Sequence, residues 1–316
     1  MKQGEHGSTH DLMRSAYFAP SLRVAPAAKY VFAAALVLTL PVAWLYAWAT
    51  APAPAMPNPL YTLGLSSWLA LAANRVAAWG NVRHPRWMGR AGAALGLAAW
   101  YVQWAAWAAW TVQLDARSAA ETAVYFFLRP DVLLAAPAVI VADTPSVPGG
   151  AARIVVWLVE LGACVIPSAL AGAARARKPF CEQTGSWATE FNVPLQFHFI
   201  HDQQAVRRRL ERDPGAVTSL LIPHVDEAPL FAEVTMYRCR GNASFITIYN
   251  YEEIQPPEVP LPGLANGGAD GDEGRCYGQI DEPVVELLRF PVDDVDALVR
   301  RWERAAGAGS TSAAAG

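Results

Sequence analysis

Four long apolar runs in the first half of the chain constrain its fold more than any other feature. They occupy residues 30–50, 60–79, 91–112 and 152–172. Each run has about 20 residues, which is enough for a helix to cross a hydrocarbon core of ~30 Å. The runs therefore predict an α-helical membrane bundle of four transmembrane helices over residues 30–172, preceded by a tail of residues 1–29.

Charge is distributed unevenly between the two halves of the chain. Residues 1–178 contain 14 Lys and Arg against 7 Asp and Glu, whereas residues 179–316 contain 11 against 21. The basic half carries the apolar runs, and the acidic half is long and polar enough to form a separate soluble domain. Its acidic balance argues against nucleic-acid binding, which requires a basic surface.

Basic residues between the apolar runs predict the orientation. Lys and Arg concentrate before the first run, between the second and third, and after the fourth, and they are sparse in the other two loops. Because these residues accumulate on the cytoplasmic side, we expect a bacterial inner-membrane protein with both termini in the cytoplasm. Ala53-Pro54-Ala55 resembles a signal-peptidase site, but the polar leader of 29 residues and the long first run favour an uncleaved anchor.

Two ionisable residues lie inside the predicted spans and are candidate functional residues. Glu160 falls within the fourth run and Arg75 near the inner end of the second. A charge buried in lipid costs about 2.5–3.5 kcal/mol on insertion scales and marks a functional-site hypothesis. Arg75 can extend to the inner headgroups, whereas Glu160 needs a partner, a proton or a water-filled pocket. Their separation of ~12 Å along the membrane normal argues against a direct ion pair.

The third run combines small and aromatic residues. Gly92 and Gly96 have the four-residue spacing that permits close helix approach, although this spacing is common in Ala-rich sequence. One face of the same helix carries four tryptophans, Trp100, Trp104, Trp107 and Trp110. We interpret them either as helix packing with an interfacial aromatic belt or as an aromatic wall around a hydrophobic ligand.

The acidic half predicts a small α+β domain over residues 173–305. Alternating or β-branched and aromatic segments predict strands over residues 193–199, 231–240, 243–253 and 284–290. Gly241-Asn242 separates the second and third strands, and this dipeptide favours an antiparallel hairpin.

Shorter helices and two irregular segments complete the predicted organisation. Asp202 is a suitable N-cap for a helix over residues 203–212, and residues 118–128 predict a helix before the fourth run. An amphipathic helix near the end is predicted from the spacing of Val295, Leu298, Val299 and Trp302. The Pro/Gly-rich segment 256–278 predicts a mobile loop, and residues 306–316 predict a disordered tail.

Three short motifs resemble an uncharacterised family of bacterial four-span inner-membrane proteins. They are Val82-Arg83-His84-Pro85 in an inner loop, Trp157 with Glu160 in the last span, and Pro-Phe-Cys-Glu-Gln-Thr-Gly-Ser-Trp over residues 179–187. The resemblance implies a cytosolic zinc-ribbon-like domain after the last span, with a second knuckle at residues 237–242. It implies no known activity.

The metal ligands of this chain depart from that family pattern. A zinc ribbon needs four Cys or His ligands in two paired knuckles, but Thr184 and Asn242 occupy the positions of the second ligands. We therefore expect Cys181 and Cys239 to lie close together as degenerate knuckles, without a metal or another cofactor. We also expect no disulfide if this domain is cytosolic.

Other polar residues offer weaker functional hypotheses. Arg207, Arg208 and Arg212 form a cationic helix face, which either balances the acidic domain or contacts anionic lipid at the inner leaflet. His198 and His201 could replace the missing zinc ligands only if both turned inward. The sequence contains none of the common phosphate-binding, dinucleotide, metalloprotease or serine-hydrolase motifs, so we do not expect an enzyme.

The leading hypothesis is a polytopic inner-membrane protein that acts as an interaction or scaffold module through its cytosolic domain. Its expected partners are the lipid bilayer and an unidentified protein, with a homo-oligomer as a further form. The alternative is a small transporter or channel subunit that uses Glu160, for which four spans suffice only in an oligomer.

Overall fold

The chain forms two compact units in a computed structural model. The helical unit is Pro20–Lys178, and the sheet unit combines Met1–Ala19 with Pro179–Gly316. The described residues are 16–50, 59–111, 118–133, 135, 150–224, 228–239, 244–254, 276–290 and 297–304.

Each of the four apolar runs forms a helix in the helical unit. The helices of this unit with ten or more residues are α1 (Ala28–Thr50), α2 (Pro59–Trp79), α3 (Pro85–Thr111), α4 (Ala119–Leu128) and α5 (Gly150–Arg177). α3 begins ahead of the predicted start at residue 91, because a proline is well suited to the first turn of a helix. The predicted short helix is confirmed as α4, where Ser118 and Glu121 form a capping box.

Two helices of the described residues are long and apolar enough to cross a membrane. They are Ala28–Thr50 and Val155–Arg177, with mean hydropathies of 1.9 and 1.8. α2 and α3 are long enough, with 21 and 27 residues, but they are less apolar because their leucines and alanines are diluted by tryptophan, glycine and polar residues. The prediction of four spans is therefore supported for two helices only.

Helices α3 and α5 approach each other closely through glycine. A Cβ atom added at Gly92 would lie 2.4 Å from the carbonyl oxygen of Ser168, and one added at Gly96 would lie 2.4 Å from that of Cys164. The Ser168 Oγ is also 2.9 Å from the Gly92 carbonyl oxygen. The close approach predicted from the spacing of these glycines is confirmed.

The described strands of the sheet unit are β1 (Phe180–Cys181), β2 (Ser186–Trp187), β3 (Thr189–Asn192), β4 (Phe197–His198), β5 (Leu230–Arg238), β6 (Ser244–Ile254) and β7 (Cys276–Phe290). An antiparallel sheet has the strand order β3-β5-β6-β7, and β4 pairs with β5 as a further strand. A small separate hairpin, β1–β2, precedes this sheet. The predicted hairpin strands are confirmed as β5 and β6, while Gly241-Asn242 lies outside the described residues.

Helices cover one face of this sheet. They are α6 (Gln203–Arg212), the short α7 (Val217–Leu220) and α8 (residues 297–304). The predicted N-cap is confirmed, because the Asp202 carboxylate accepts a hydrogen bond of 2.8 Å from the Ala205 N–H. Side chains from helices and strands share one core, which includes Phe197, Leu210, Val217, Met236, Ile248, Leu288 and Trp302.

Two strand predictions were wrong in extent. The alternating segment 193–199 is not one strand, because pairing runs through β3 before it and resumes only at β4. Pro194 lies between them and cannot donate a ladder hydrogen bond. β7 is longer than residues 284–290 because it pairs with β6 as far as Ile254 opposite Cys276. Most of segment 256–278 lies outside the described residues.

The segment before α1 belongs structurally to the sheet unit. The Phe18 N–H donates a 2.9 Å hydrogen bond to the Leu287 carbonyl oxygen, and the Phe18 ring lies 5.3 Å from that of Phe245. The Tyr17 hydroxyl donates a 2.6 Å hydrogen bond to Glu211. Burial and this carboxylate raise the pKa of Tyr17. The sheet unit thus combines residues that precede α1 with residues that follow α5.

Candidate functional sites

The face of the sheet opposite the helices is rich in tyrosine and glutamate. Side chains alternate between the two faces of a strand, so the burial of Val234 and Ile248 in the helix-covered core places Glu233 and Tyr249 on the other face. We call this surface the tyrosine face. It is defined by Tyr237, Tyr249, Tyr251, Glu190, Glu233 and Glu286.

Strand pairing places the carboxylates of the tyrosine face beside its phenol rings. Glu233 is paired with Tyr249 across β5 and β6, and Glu190 with Tyr237 across β3 and β5. The Tyr237 hydroxyl lies 3.5 Å from Glu190 Oε1. Tyr237 and Tyr249 therefore each have an acidic neighbour on the adjoining strand.

Titration behaviour reflects this arrangement. Burial first and the Glu190 carboxylate second raise the pKa of Tyr237. Burial and Glu286 raise the pKa of Tyr249, and burial and Glu233 raise that of Tyr251. The carboxylates disfavour a further negative charge, so the surface presents neutral phenols within a negative field that favours cations.

Towards the β4 end of the sheet, the aromatic residues of this face pack around Phe231, which is buried. The Phe231 ring stacks on Tyr251 at 5.6 Å and meets Tyr277 edge-on at 5.0 Å. At the opposite end, strand pairing places Arg289 opposite Phe245. Among the described residues the carboxylates of the tyrosine face therefore outnumber its cations.

The stability of the sheet unit should depend on pH because the Glu233 carboxyl group is partly buried on the tyrosine face. Burial raises its pKa above the usual value of ~4.3, so the stability linked to its proton is present below that value and lost as the pH rises through the folded-state pKa. We expect Glu233→Gln to stabilise the sheet unit at pH ~7 relative to the wild type, and to give no gain at pH ~3.5. Urea unfolding at both pH values measures the difference, and a gain of equal size at both would contradict the assignment.

Cys181 and Cys239 are joined by a disulfide bond. Their Cα atoms are 5.6 Å apart, and both side chains are buried against Phe18, Tyr237, Phe245 and Leu287. The prediction that they lie close together is confirmed, and the bond joins two thiols that we expected to stay unpaired only in a cytosolic domain. Both sulfurs are used in the bond, so neither knuckle supplies a thiolate for zinc. Within the described residues, no cluster of three or more His, Cys, Asp or Glu could hold a metal ion.

Glu160 is buried inside the helical unit. Its side chain is 7% exposed, and Oε1 accepts a 3.1 Å hydrogen bond from the Tyr46 hydroxyl. Oε2 is buried and makes no hydrogen bond of standard geometry among the described residues, although the Trp104 side chain also interacts with this carboxyl group. The predicted need of Glu160 for a partner is met by the Tyr46 hydroxyl, and the buried carboxyl group is a second candidate site.

Arg75 does not belong to the Glu160 site. Its side chain is exposed, and the guanidinium lies 5.7 Å from the centre of the Trp79 ring, a cation–π contact. Tyr46, which binds Glu160, contacts Thr62 of α2, and Thr62 and Arg75 are ~20 Å apart along that helix.

The tryptophans of α3 contact rings on neighbouring helices. Trp104 meets Trp157 of α5 with ring centres 5.0 Å apart, and Trp110 meets Trp44 of α1 at 5.9 Å. These contacts support the packing interpretation for both residues.

The cationic helix face has a partly structural role. Arg207 Nε donates a 2.8 Å hydrogen bond to the Val284 carbonyl oxygen, and its Nη2 donates one of 3.0 Å to that of Pro283. This side chain therefore fastens α6 to β7. Arg208 and Arg212 are exposed. Contact of these three side chains with anionic lipid stays a prediction.

The histidines proposed as replacement zinc ligands contact other aromatic rings and not the cysteine pair. The His198 ring is 4.7 Å from that of His224, and the His201 ring is 4.9 Å from that of Phe199. His198 and His201 are both exposed. Neither fills the role of a ligand beside the disulfide.

The sequence interpretation missed the tyrosine face and the partner of Glu160. The first had a usable signal, because Tyr237, Tyr249 and Tyr251 occupy the solvent-facing positions of two predicted strands, where mixed polar residues are usual. The partner of Glu160 had no sequence signal, because Tyr46 and Glu160 are 114 residues apart.

Comparison with known proteins adds no relative: no protein-family model, curated protein or solved structure matches the chain.

Proposed function

We propose that the protein is a membrane-anchored interaction module whose tyrosine face docks a Lys/Arg-rich segment of a protein partner. The observation that carries the proposal is the alternation of phenol rings and carboxylates across β3, β5 and β6. Aromatic faces attract ammonium and guanidinium groups, and carboxylates form strong charge-assisted hydrogen bonds with them. The excess of acidic residues over residues 179–316 favours the same partner at long range.

The proposed anchor is the helical unit, with four spans in the inner membrane and both termini in the cytoplasm. The two apolar helices α1 and α5 support membrane insertion. The packing of Phe18 against Phe245 supports an even number of crossings, because it requires both ends of the chain on one side. The basic loops support the cytoplasmic side. The proposed resemblance to an uncharacterised four-span family agrees with this arrangement and contributes no activity.

The test measures binding of a short labelled Arg-rich peptide to the full-length protein in lipid nanodiscs by fluorescence anisotropy. We expect the double variant Glu233→Gln/Glu286→Gln to weaken binding about tenfold or more, because two charge-assisted contacts are lost. Glu303→Gln removes an exposed carboxylate on α8, on the covered side of the sheet, and should bind like the wild type. A Glu-rich peptide should not bind.

Two outcomes would overturn the docking proposal. One is equal loss of binding in Glu303→Gln and in the double variant, which would indicate general charge attraction. The other is self-association of the protein that the double variant abolishes, which would assign the tyrosine face to a second copy.

A second candidate function is a small transporter or channel subunit. The burial of the Glu160 carboxyl group inside the helical unit is the observation that favours it. Ionisable residues inside membrane helices commonly mark ion or proton pathways.

A further inference from the structure

Glu160 is connected to the end of the helix bundle by a chain of hydroxyl groups. The Tyr46 hydroxyl lies 3.1 Å from Glu160 Oε1 and 3.1 Å from the Thr62 Oγ1. Thr62 is partly exposed, whereas Tyr46 and Glu160 are buried. Three oxygen atoms thus form a continuous path from a partly exposed position to a buried carboxyl group.

The path begins where α1 and α2 are connected. Tyr46 is in the last turns of α1, which ends at Thr50, and Thr62 is in the first turn of α2, which begins at Pro59. Apolar side chains line the space around Tyr46, namely Leu65, Leu69, Leu95, Ala99 and Cys164. The hydroxyls therefore provide a polar route through otherwise apolar packing.

We propose that Glu160 is a proton-binding site loaded through Thr62 and Tyr46 from the α1–α2 end of the bundle. This inference deepens the transport candidate by naming its ion, and it does not depend on docking at the tyrosine face. Water delivers a proton to the Thr62 oxygen, Thr62 passes its own proton to Tyr46, and Tyr46 passes its proton to Glu160. Each hydroxyl regains the proton that it gave, so the net change is neutralisation of one carboxylate.

A proton suits this site better than a metal cation. Ca²⁺ and Mg²⁺ require about six or more oxygen ligands, several of them carboxylates or waters. The path supplies one carboxyl group and two hydroxyls, and no cluster of three His, Cys, Asp or Glu occurs among the described residues. A proton needs only one carboxylate oxygen and removes the cost of a buried charge.

The test uses the full-length protein in oriented proteoliposomes and a membrane-permeant carbodiimide, which reacts with protonated carboxyl groups in apolar surroundings. A tag in the connection 51–58 identifies the side on which the path opens. Acidifying that side should increase labelling of Glu160, measured by mass spectrometry, and acidifying the opposite side should not. Glu160→Gln should remove the labelled peptide.

Variants of the hydroxyl path separate conduction from a structural role. Tyr46→Phe should reduce the side-dependent labelling rate about tenfold, because the ring stays while the relaying hydroxyl is lost. Tyr101→Phe is the matched control, since that hydroxyl donates to the Phe127 carbonyl oxygen at 2.8 Å, and it should behave like the wild type. Thr62→Val provides a second variant if Tyr46→Phe fails to elute as a folded species.

Labelling at equal rates from both sides would overturn the proposed path. Wild-type labelling in both Tyr46→Phe and Thr62→Val would do the same. Absence of Glu160 labelling at any pH would remove the proton site itself. None of these results affects the peptide-binding measurement at the tyrosine face.

Discussion

The Gly96→Ala substitution should lower the unfolding stability of the helical unit by about 1–3 kcal/mol, the range expected for overpacking a close interface. The added Cβ would lie 2.4 Å from the carbonyl oxygen of Cys164 and 2.8 Å from its carbonyl carbon. Both atoms belong to the α5 backbone, which cannot rotate away as a side chain can. The two helices must therefore separate, and the neighbouring contact between Gly92 and Ser168 is weakened with them.

The measurement is denaturant unfolding of the full-length protein in detergent micelles, followed by tryptophan fluorescence. Gly64→Ala is a matched control, because a Cβ at Gly64 meets nothing within 4 Å. It should be neutral or stabilise α2 by up to ~1 kcal/mol, since alanine favours a helix more than glycine does. The packing assignment is wrong if Gly96→Ala and Gly64→Ala shift the transition in the same direction and by the same amount.

Removal of the disulfide should destabilise the sheet unit by about 4 kcal/mol in the chain-entropy model of cross-links. Cys181 and Cys239 are separated by 58 positions, so the bond restricts a long loop in the unfolded chain. Replacing both cysteines by serine avoids leaving a reactive thiol. Urea unfolding followed by hydrogen exchange in β5 and β6 reports on the sheet unit separately from the helices.

Reductant provides the control for the disulfide prediction. It should shift the unfolding of the wild type towards that of the double serine variant, and it should leave the variant unchanged. An unchanged wild type in reductant would contradict the prediction.

The state of the same cysteines in living cells tests the orientation of the protein. A cytoplasmic sheet unit should contain mainly reduced thiols, because the cytosol keeps most cysteines reduced. Alkylation of intact cells before lysis traps that state. A fully oxidised pair would instead place the sheet unit in an oxidising compartment and contradict the proposed cytoplasmic position of the termini.

Much of the local structure follows from the sequence. The apolar runs predict the positions of α1, α2, α3 and α5, because a mainly apolar segment of about 20 residues satisfies its own backbone hydrogen bonds as a helix. Asp202 predicts the start of α6 because an N-cap acts within one turn. The prediction of one strand over residues 193–199 was wrong because Pro194 cannot donate a ladder hydrogen bond, and residue alternation takes no account of hydrogen bonding.

The candidate sites depend on contacts that no local pattern encodes. Glu160 stands out as a carboxylate in an apolar run, but its partner Tyr46 is on another helix and is chosen by helix packing. Cys181 and Cys239 were predicted to be close from a resemblance, while the S–S bond is seen only in the folded chain, where β1 meets the residue that follows β5. The N-terminal contact of Phe18 with Phe245 has no sequence signal at all.

The sequence by itself determined where the four long helices and the strands β5 and β6 form, and which half of the chain is acidic. These properties depend on neighbouring residues and on composition, so they can be recognised within short windows. Only the tertiary structure decided that the glycines of α3 meet α5, that phenols and carboxylates share one face of the sheet, and that two hydroxyls connect Glu160 to the end of the bundle. Such contacts join residues that are distant in sequence, and their geometry is set by the packing of whole elements.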